Sequence, residues 1–183
     1  MGKVFIFLAD GHEEIEALTV VDLARRAGID IVTVSIKSER MVTGSHKIPI
    51  MADVCFDEID CSEADMLILP GGMPGTKNLE AYEPLMAQID AFAAAGKNIS
   101  AICAAPTVFG HRGLLKGVKA CCYPGMEGDL TGADVTFDTV AVDGNIITSR
   151  GMGCAIDFAL AIIAKLIDSE TADRIAKSVV YGV

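Results

Sequence analysis

Two short apolar runs with one helix-period segment between them constrain this chain more than any other feature. Lys3 to Leu8, KVFIFL, and Asp30 to Ser35, DIVTVS, are rich in β-branched and aromatic residues and read as buried strands. Between them, ADGHEEIEALTVVDLARRAGI opens on an Asp-Gly turn. It crowds acidic residues into the next turn, where a helix N-terminus favours them, and stops at Gly28. Ile15, Leu18, Val21 and Leu23 are expected to share one broad helix face. Strand, helix, strand is the unit that builds parallel sheets with right-handed crossovers.

The same alternation continues. Met66 to Leu69 is another buried strand, ending in PGGMPGTKNL. Glu83 to Ala95 is predicted helical, Asn98 to Ile102 a strand, and Pro106 to Leu115 a helix. Lys119 to Tyr123 reads as a strand closed by Pro124, with Cys121 and Cys122 on alternate faces. DVTFDTVAVDGNIITS alternates and carries Asp143-Gly144, a hairpin signal. Cys154 to Ile167 is a largely apolar helix, and a short polar helix follows. HKIPIMAD is a short strand candidate in which Pro49 suits an edge. The expectation is one domain over 1–183, a three-layer α/β sandwich.

Bulk properties exclude several function classes. A net charge of −10 argues against nucleic acid and against anionic membranes. No apolar run approaches the roughly 18 residues of a membrane span, and the first residues lack a signal-peptide pattern, so the expected location is cytoplasmic. The six cysteines form no C-x-x-C pair, so neither a zinc site nor any other metal or cofactor is expected, and reduced thiols are the default.

In an open parallel sheet the loops leaving the strand C-termini share one edge, where ligands bind. Here those loops carry Glu16, then Gly71 and Gly72, then Cys103, then Arg150 with Gly151 and Gly153. Cys103 stands between a strand and a helix among Ala101, Ala104, Ala105 and Pro106. That is the pattern of a nucleophile elbow, in which only small neighbours fit. The helix N-terminus would stabilise a thiolate, with the N–H of Ala104 and one from Gly71-Gly72 forming an oxyanion site. Taken alone, the segment is equally compatible with an inert buried cysteine. Glu16 likewise has two readings: a helix N-terminal decoration like Glu13 and Glu14, or a half-buried acid of raised pKa that serves Cys103. His12, His46 and His111 have no partner assignable from sequence, so a Cys-His-acid triad is unsupported.

LADGHEEIEAL, DLARRAGI, LPGGMPGTKNL, AICAAPTVFG, TSRGMG and IDFALAIIAKL together resemble the ThiJ/PfpI superfamily. They are most similar to the branch of the parkinsonism-associated deglycase and the bacterial YajL type. The resemblance implies a flavodoxin-like, class I glutamine amidotransferase-like sandwich and a homodimer. It makes Cys103 the reactive elbow cysteine and Glu16 the acid beside it. It gives Gly72 and Ala104 as N–H donors to the sulfur, and puts Arg26 near the dimer interface. Tyr123 stands where the branch's best-known member has a histidine, and tyrosine is a poor base at neutral pH. A peptidase-type Cys-His dyad therefore ranks last.

The functional expectation is a cofactor-independent, cysteine-dependent enzyme. Its substrates would be reactive α-oxoaldehydes or their early protein or nucleotide adducts, handled as a glutathione-independent glyoxalase or as a deglycase. The alternative is an oxidative-stress sensor or chaperone using the same cysteine. A third reading is a non-catalytic relative that binds a partner.

Overall fold

The computed structural model describes residues 3–182. Its strands are β1 (Lys3–Leu8), β2 (Asp30–Ser35), β3 (Met41–Thr43), β4 (Pro49–Met51), β5 (Val54–Cys55), β6 (Ala64–Leu69), β7 (Asn98–Ile102), β8 (Lys119–Ala120), β9 (Asp134–Val135), β10 (Val140–Asp143) and β11 (Ile146–Ser149). Its helices are α1 (Glu14–Arg26), α2 (Gly75–Glu80), α3 (Glu83–Ala94), α4 (Pro106–His111), α5 (Ala155–Leu166) and α6 (Ser169–Ser178). Seven strands form the central sheet in the order β10-β11-β7-β6-β1-β2-β5. All neighbours are parallel except β10 and β11, which form the Asp143-Gly144 hairpin. The strand order reverses between β1 and β6, which puts the expected ligand crevice at their C-terminal ends.

Period 2 divides the core. Val4, Ile6 and Leu8 of β1 face α1, α5 and α6, while Phe5 and Phe7 face α3 and α4. This is the expected three-layer α/β sandwich with a mostly parallel sheet. No helix among the described residues is long and apolar enough to cross a membrane.

Four local expectations need correction. On α1 the buried face is Glu16, Ala17, Val20, Val21, Leu23 and Ala24, whereas Ile15 and Leu18 are 50% and 40% exposed. The strand at 119 ends after Ala120, because the next N–H groups leave the ladder. Cys121 N–H donates to Thr148 Oγ1 at 3.0 Å, and Tyr123 N–H to the Cys103 carbonyl at 2.8 Å. Cys121 and Cys122 are therefore not strand residues, and both are buried. Helix α4 ends at His111, well short of Leu115. The loop after β6 contains α2, which no periodic pattern announced.

The Pro49 strand is β4, paired antiparallel with β3 in a separate hairpin. That hairpin is pinned to the start of α1. Ser45 N–H donates to the His12 carbonyl at 2.8 Å, and His46 N–H to Glu14 Oε1 at 2.9 Å.

Candidate active site

Cys103 leaves β7 with a φ of +66°, the left-handed region that costs a non-glycine residue roughly 1–2 kcal/mol. Strand β11 and the segment after β8 hold this elbow. The Cys103 N–H donates to the Ser149 carbonyl at 2.9 Å, and the Cys103 carbonyl accepts from Tyr123 N–H. Ala104 and Ala105 are buried, and Pro106 opens α4, where its missing N–H costs nothing. The thiol is partly exposed; the other sequence-derived acid is not.

Glu16 is 1% exposed. Its Oε2 accepts from Gly71 N–H at 3.0 Å, and its carboxyl lies beside the Cys103 side chain. Gly71 is where the two approach. A Cβ there would lie 2.5 Å from Cys103 Cβ and 2.7 Å from Glu16 Oε2, so only glycine fits. Gly72 has a φ of +90° and also lacks room for a side chain: a Cβ would meet the Glu13 nitrogen at 2.3 Å. The two glycines thus divide the work. Gly71 N–H is committed to Glu16, and it is Gly72, with Ala104, whose N–H faces the sulfur.

Burial pushes the Glu16 carboxyl up to about 7, against the opposing hydrogen bonds from Cys103 and Gly71. Burial also pushes the Cys103 thiol up to about 12, with the Glu16 charge and hydrogen bond adding to it. The N–H groups of Gly72 and Ala104 pull the thiol the other way but do not win. Burial at the elbow thus opposes the thiolate that its position before a helix favours. The site is a pair of desolvated acids, each holding its proton more tightly than it would in water. Glu16 sits where it can take the thiol proton and return it.

Tyr123 is 51% exposed, and its ring stands over Gly151, 3.5 Å from where a Cβ would be. The three histidines are engaged elsewhere. His12 is buried with Nδ1 on the Ala9 carbonyl at 2.9 Å, His46 meets Glu14 at 3.1 Å, and His111 meets Glu80 at 2.7 Å.

Sequence reasoning missed Glu14. It is as buried as Glu16, yet its state is opposite. Burial raises its pKa, but hydrogen bonds from its own N–H, from His46 and from Ile48 outweigh that and hold it at about 2. Its partners lie some thirty residues later, so no local pattern separates it from Glu13. Among the described residues, two groups of potential metal ligands have ligand atoms within 4.8 Å of one another, Glu13 with Glu14 and His46, and Cys55 with Asp57 and Glu58. Neither includes Cys103 or Glu16.

Residues 2–165 match the DJ-1/PfpI family. The chain belongs to this family. Among DJ-1 relatives, the Drosophila melanogaster protein dj-1beta is 33% identical over 98% of this chain and 97% of its own length. An Arabidopsis thaliana relative, DJ-1 homolog B, is 37% identical over 96% of this chain, which spans only 40% of that protein. A Pyrococcus abyssi deglycase is 29% identical over 82% of this chain and 91% of its own. Two DJ-1-type structures superpose end to end with TM-scores of 0.95 at 35% identity. One is an oxidized Toxoplasma gondii DJ-1, and the other a Salmonella typhimurium DJ-1 superfamily protein with one cysteine replaced by alanine. The protein is thus a cysteine-bearing DJ-1-type chain with the fold of its family.

Proposed function

We propose that this protein is a cofactor-independent enzyme in which Cys103 and Glu16 act on α-oxoaldehydes or their early adducts with proteins or nucleotides. The carrying observation is the buried Glu16 carboxyl, held by Gly71 N–H beside the elbow thiol. The Cys103 sulfur attacks the aldehyde carbon while Glu16 accepts the thiol proton. The carbonyl oxygen becomes an oxyanion facing the N–H groups of Gly72 and Ala104, and protonation gives a hemithioacetal. Glu16 then moves the proton from the former aldehyde carbon to the neighbouring carbonyl carbon through an enediol, while the hydroxyl proton passes to the neighbouring oxygen. This leaves the thioester of a 2-hydroxy acid. Water cleaves the thioester, releasing the hydroxy acid and restoring the thiol. A hemithioacetal or hemiaminal already formed on a protein enters the same sequence once its aldehyde carbon passes to Cys103. The name of the Pyrococcus relative, a deglycase, supports this branch of the reading.

The test is conversion of methylglyoxal to lactate by the purified protein without glutathione. A Cys103→Ala variant that keeps full turnover ends the proposal.

A second reading rests on the same thiol. The N–H donors at the sulfur and a protonated Glu16 would hold a sulfinate, formed when two peroxide molecules each deliver one oxygen and leave as water. That a Toxoplasma relative has been solved in an oxidized form supports it. Mild peroxide followed by peptide mass mapping should place two oxygens on Cys103 before any other cysteine. Oxidation spread evenly over the six would reject a sensor role.

We also propose a homodimer through α1. Ile15 and Leu18 are exposed there, and a groove beside them is lined by Leu18, Thr19, Asp22, Leu23, Ile156 and Val179. Arg26 lies at the end of that helix, paired with Asp22.

A further inference from the structure

Arg150 has no task in the reaction above, yet the sheet delivers it to Cys103. Ser149 pairs with Ile102 in parallel register, so Arg150 and Cys103 leave adjacent strands side by side, about 5 Å apart across the ladder. Beyond them opens a cavity of about 370 Å³ whose lining includes Tyr123, Thr139, Arg150, Gly151, Met152 and Cys154. It adjoins the reacting pair. A Cβ on Gly151 would lie between the Tyr123 ring, at 3.5 Å, and Glu16 Oε1, at 3.9 Å. With no side chain there, a substituent on a carbonyl held at Cys103 has a path into the cavity.

Arg150 is the one charged residue lining this space. Arg25, Arg26, Arg40 and Arg112 each pair with a carboxylate, whereas Arg150, like Arg174 on α6, forms no ion pair among the described residues. Its contacts are a long 3.4 Å hydrogen bond from Nη1 to the Phe137 carbonyl and the Phe137 ring, 5.8 Å away. Most of its planar fork of donors is unused, and that fork matches a carboxylate. The flanking Tyr123 and Met152 side chains suit a short methylene chain.

We infer that Arg150 is a specificity-determining residue, binding the carboxylate of an α-oxoaldehyde whose side chain occupies this cavity. The substrate class rests on the aldehyde reading above; the anion subsite beside Cys103 does not.

Two measurements separate the parts. The first compares 4,5-dioxopentanoate with the neutral 2-oxopentanal, each taking up one water to give its 2-hydroxy acid. The wild type should favour the anion in kcat/KM by about tenfold, the scale of one charge-assisted hydrogen-bond pair. Arg150→Met should raise KM for the anion alone, and Arg150→Lys should restore part of the preference. The second needs no turnover: alkylation of Cys103 by iodoacetate against iodoacetamide, which differ by a carboxylate. The ratio of the two rates should fall several-fold in Arg150→Met with the circular dichroism spectrum unchanged. An unchanged ratio overturns the subsite. A ratio that falls while neither aldehyde is consumed keeps the subsite and discards the aldehyde chemistry. Equal use of both aldehydes by the wild type overturns the substrate class.

Discussion

Glu16 reaches Cys103 across a residue without a side chain. The Gly71 N–H holds Glu16 Oε2 at 3.0 Å, and the space where a Gly71 Cβ would sit is already taken by atoms of both partners. A helix residue near the N-terminus and an elbow residue in mid-chain thus meet because a third loop comes close enough to hold them together.

Gly71→Ala should separate the pair. Its methyl has nowhere to go without moving Cys103 or Glu16, which costs about 1–3 kcal/mol of stability. Turnover of methylglyoxal should fall at least about tenfold, since small displacements of reacting groups are costly. A variant with wild-type turnover and melting temperature would show that the contact is looser than described.

Glu16 makes stability depend on pH in an unusual direction. Its folded pKa of about 7 lies above the ordinary 4.5, so the folded chain binds the proton more tightly than the unfolded one. The stabilisation is complete below 4.5 and is lost as pH rises through 7, by about 3 kcal/mol from this group. Glu16→Gln, which cannot ionise, should be less sensitive. Urea unfolding at pH 5 and pH 8 should show the wild type losing more stability than the variant across that interval.

Glu14 runs the other way. Its folded pKa of about 2 lies below 4.5, so its contribution is present above 4.5 and disappears as pH falls through 2. Glu14→Ala leaves the N–H groups of His46 and Ile48 without their acceptor, at about 1–3 kcal/mol for each that stays buried. The β3–β4 hairpin should loosen first. Hydrogen exchange at residues 44–48 should quicken in the variant while the β1 and β6 amides stay protected.

The elbow strain can be measured directly. Glycine adopts positive φ freely, so Cys103→Gly should be about 1 kcal/mol more stable than Cys103→Ala, despite the greater freedom of glycine in the unfolded chain. The reverse order in thermal denaturation would mean that Cys103 is not strained.

If α1 is the dimer face, Leu18→Lys should shift sedimentation towards the monomer without altering the fold, because the side chain it replaces is exposed and not part of the core.

Much of this architecture was legible in advance. β1, β2 and β7 match their apolar runs residue for residue, because a buried strand's signal is local and period 2 leaves little freedom in register. The edge carrying Glu16, Gly72, Cys103 and Arg150 was legible for the same reason: a loop after a parallel strand has one place to go. The failures were also physical. Lys119 to Tyr123 has strand composition, but its N–H groups are claimed by Thr148 and Cys103, which no window around residue 121 reveals. Ile15 and Leu18 fit a helical face, but the sheet buries the neighbouring face, with two glutamates near its start.

Glu14 and Glu16 mark the boundary. Order along the chain was enough to put both in the first turn of α1 and to single out Glu16, since hydrophobic period and turn residues act over a few positions. Their protonation states depend on desolvation and on partners contributed by distant segments: Gly71 and Cys103 for one, His46 and Ile48 for the other. Two carboxylates separated by one residue end with pKa values of about 2 and about 7 because donors outweigh burial at one and burial outweighs the donors at the other. That difference exists only after the chain has folded.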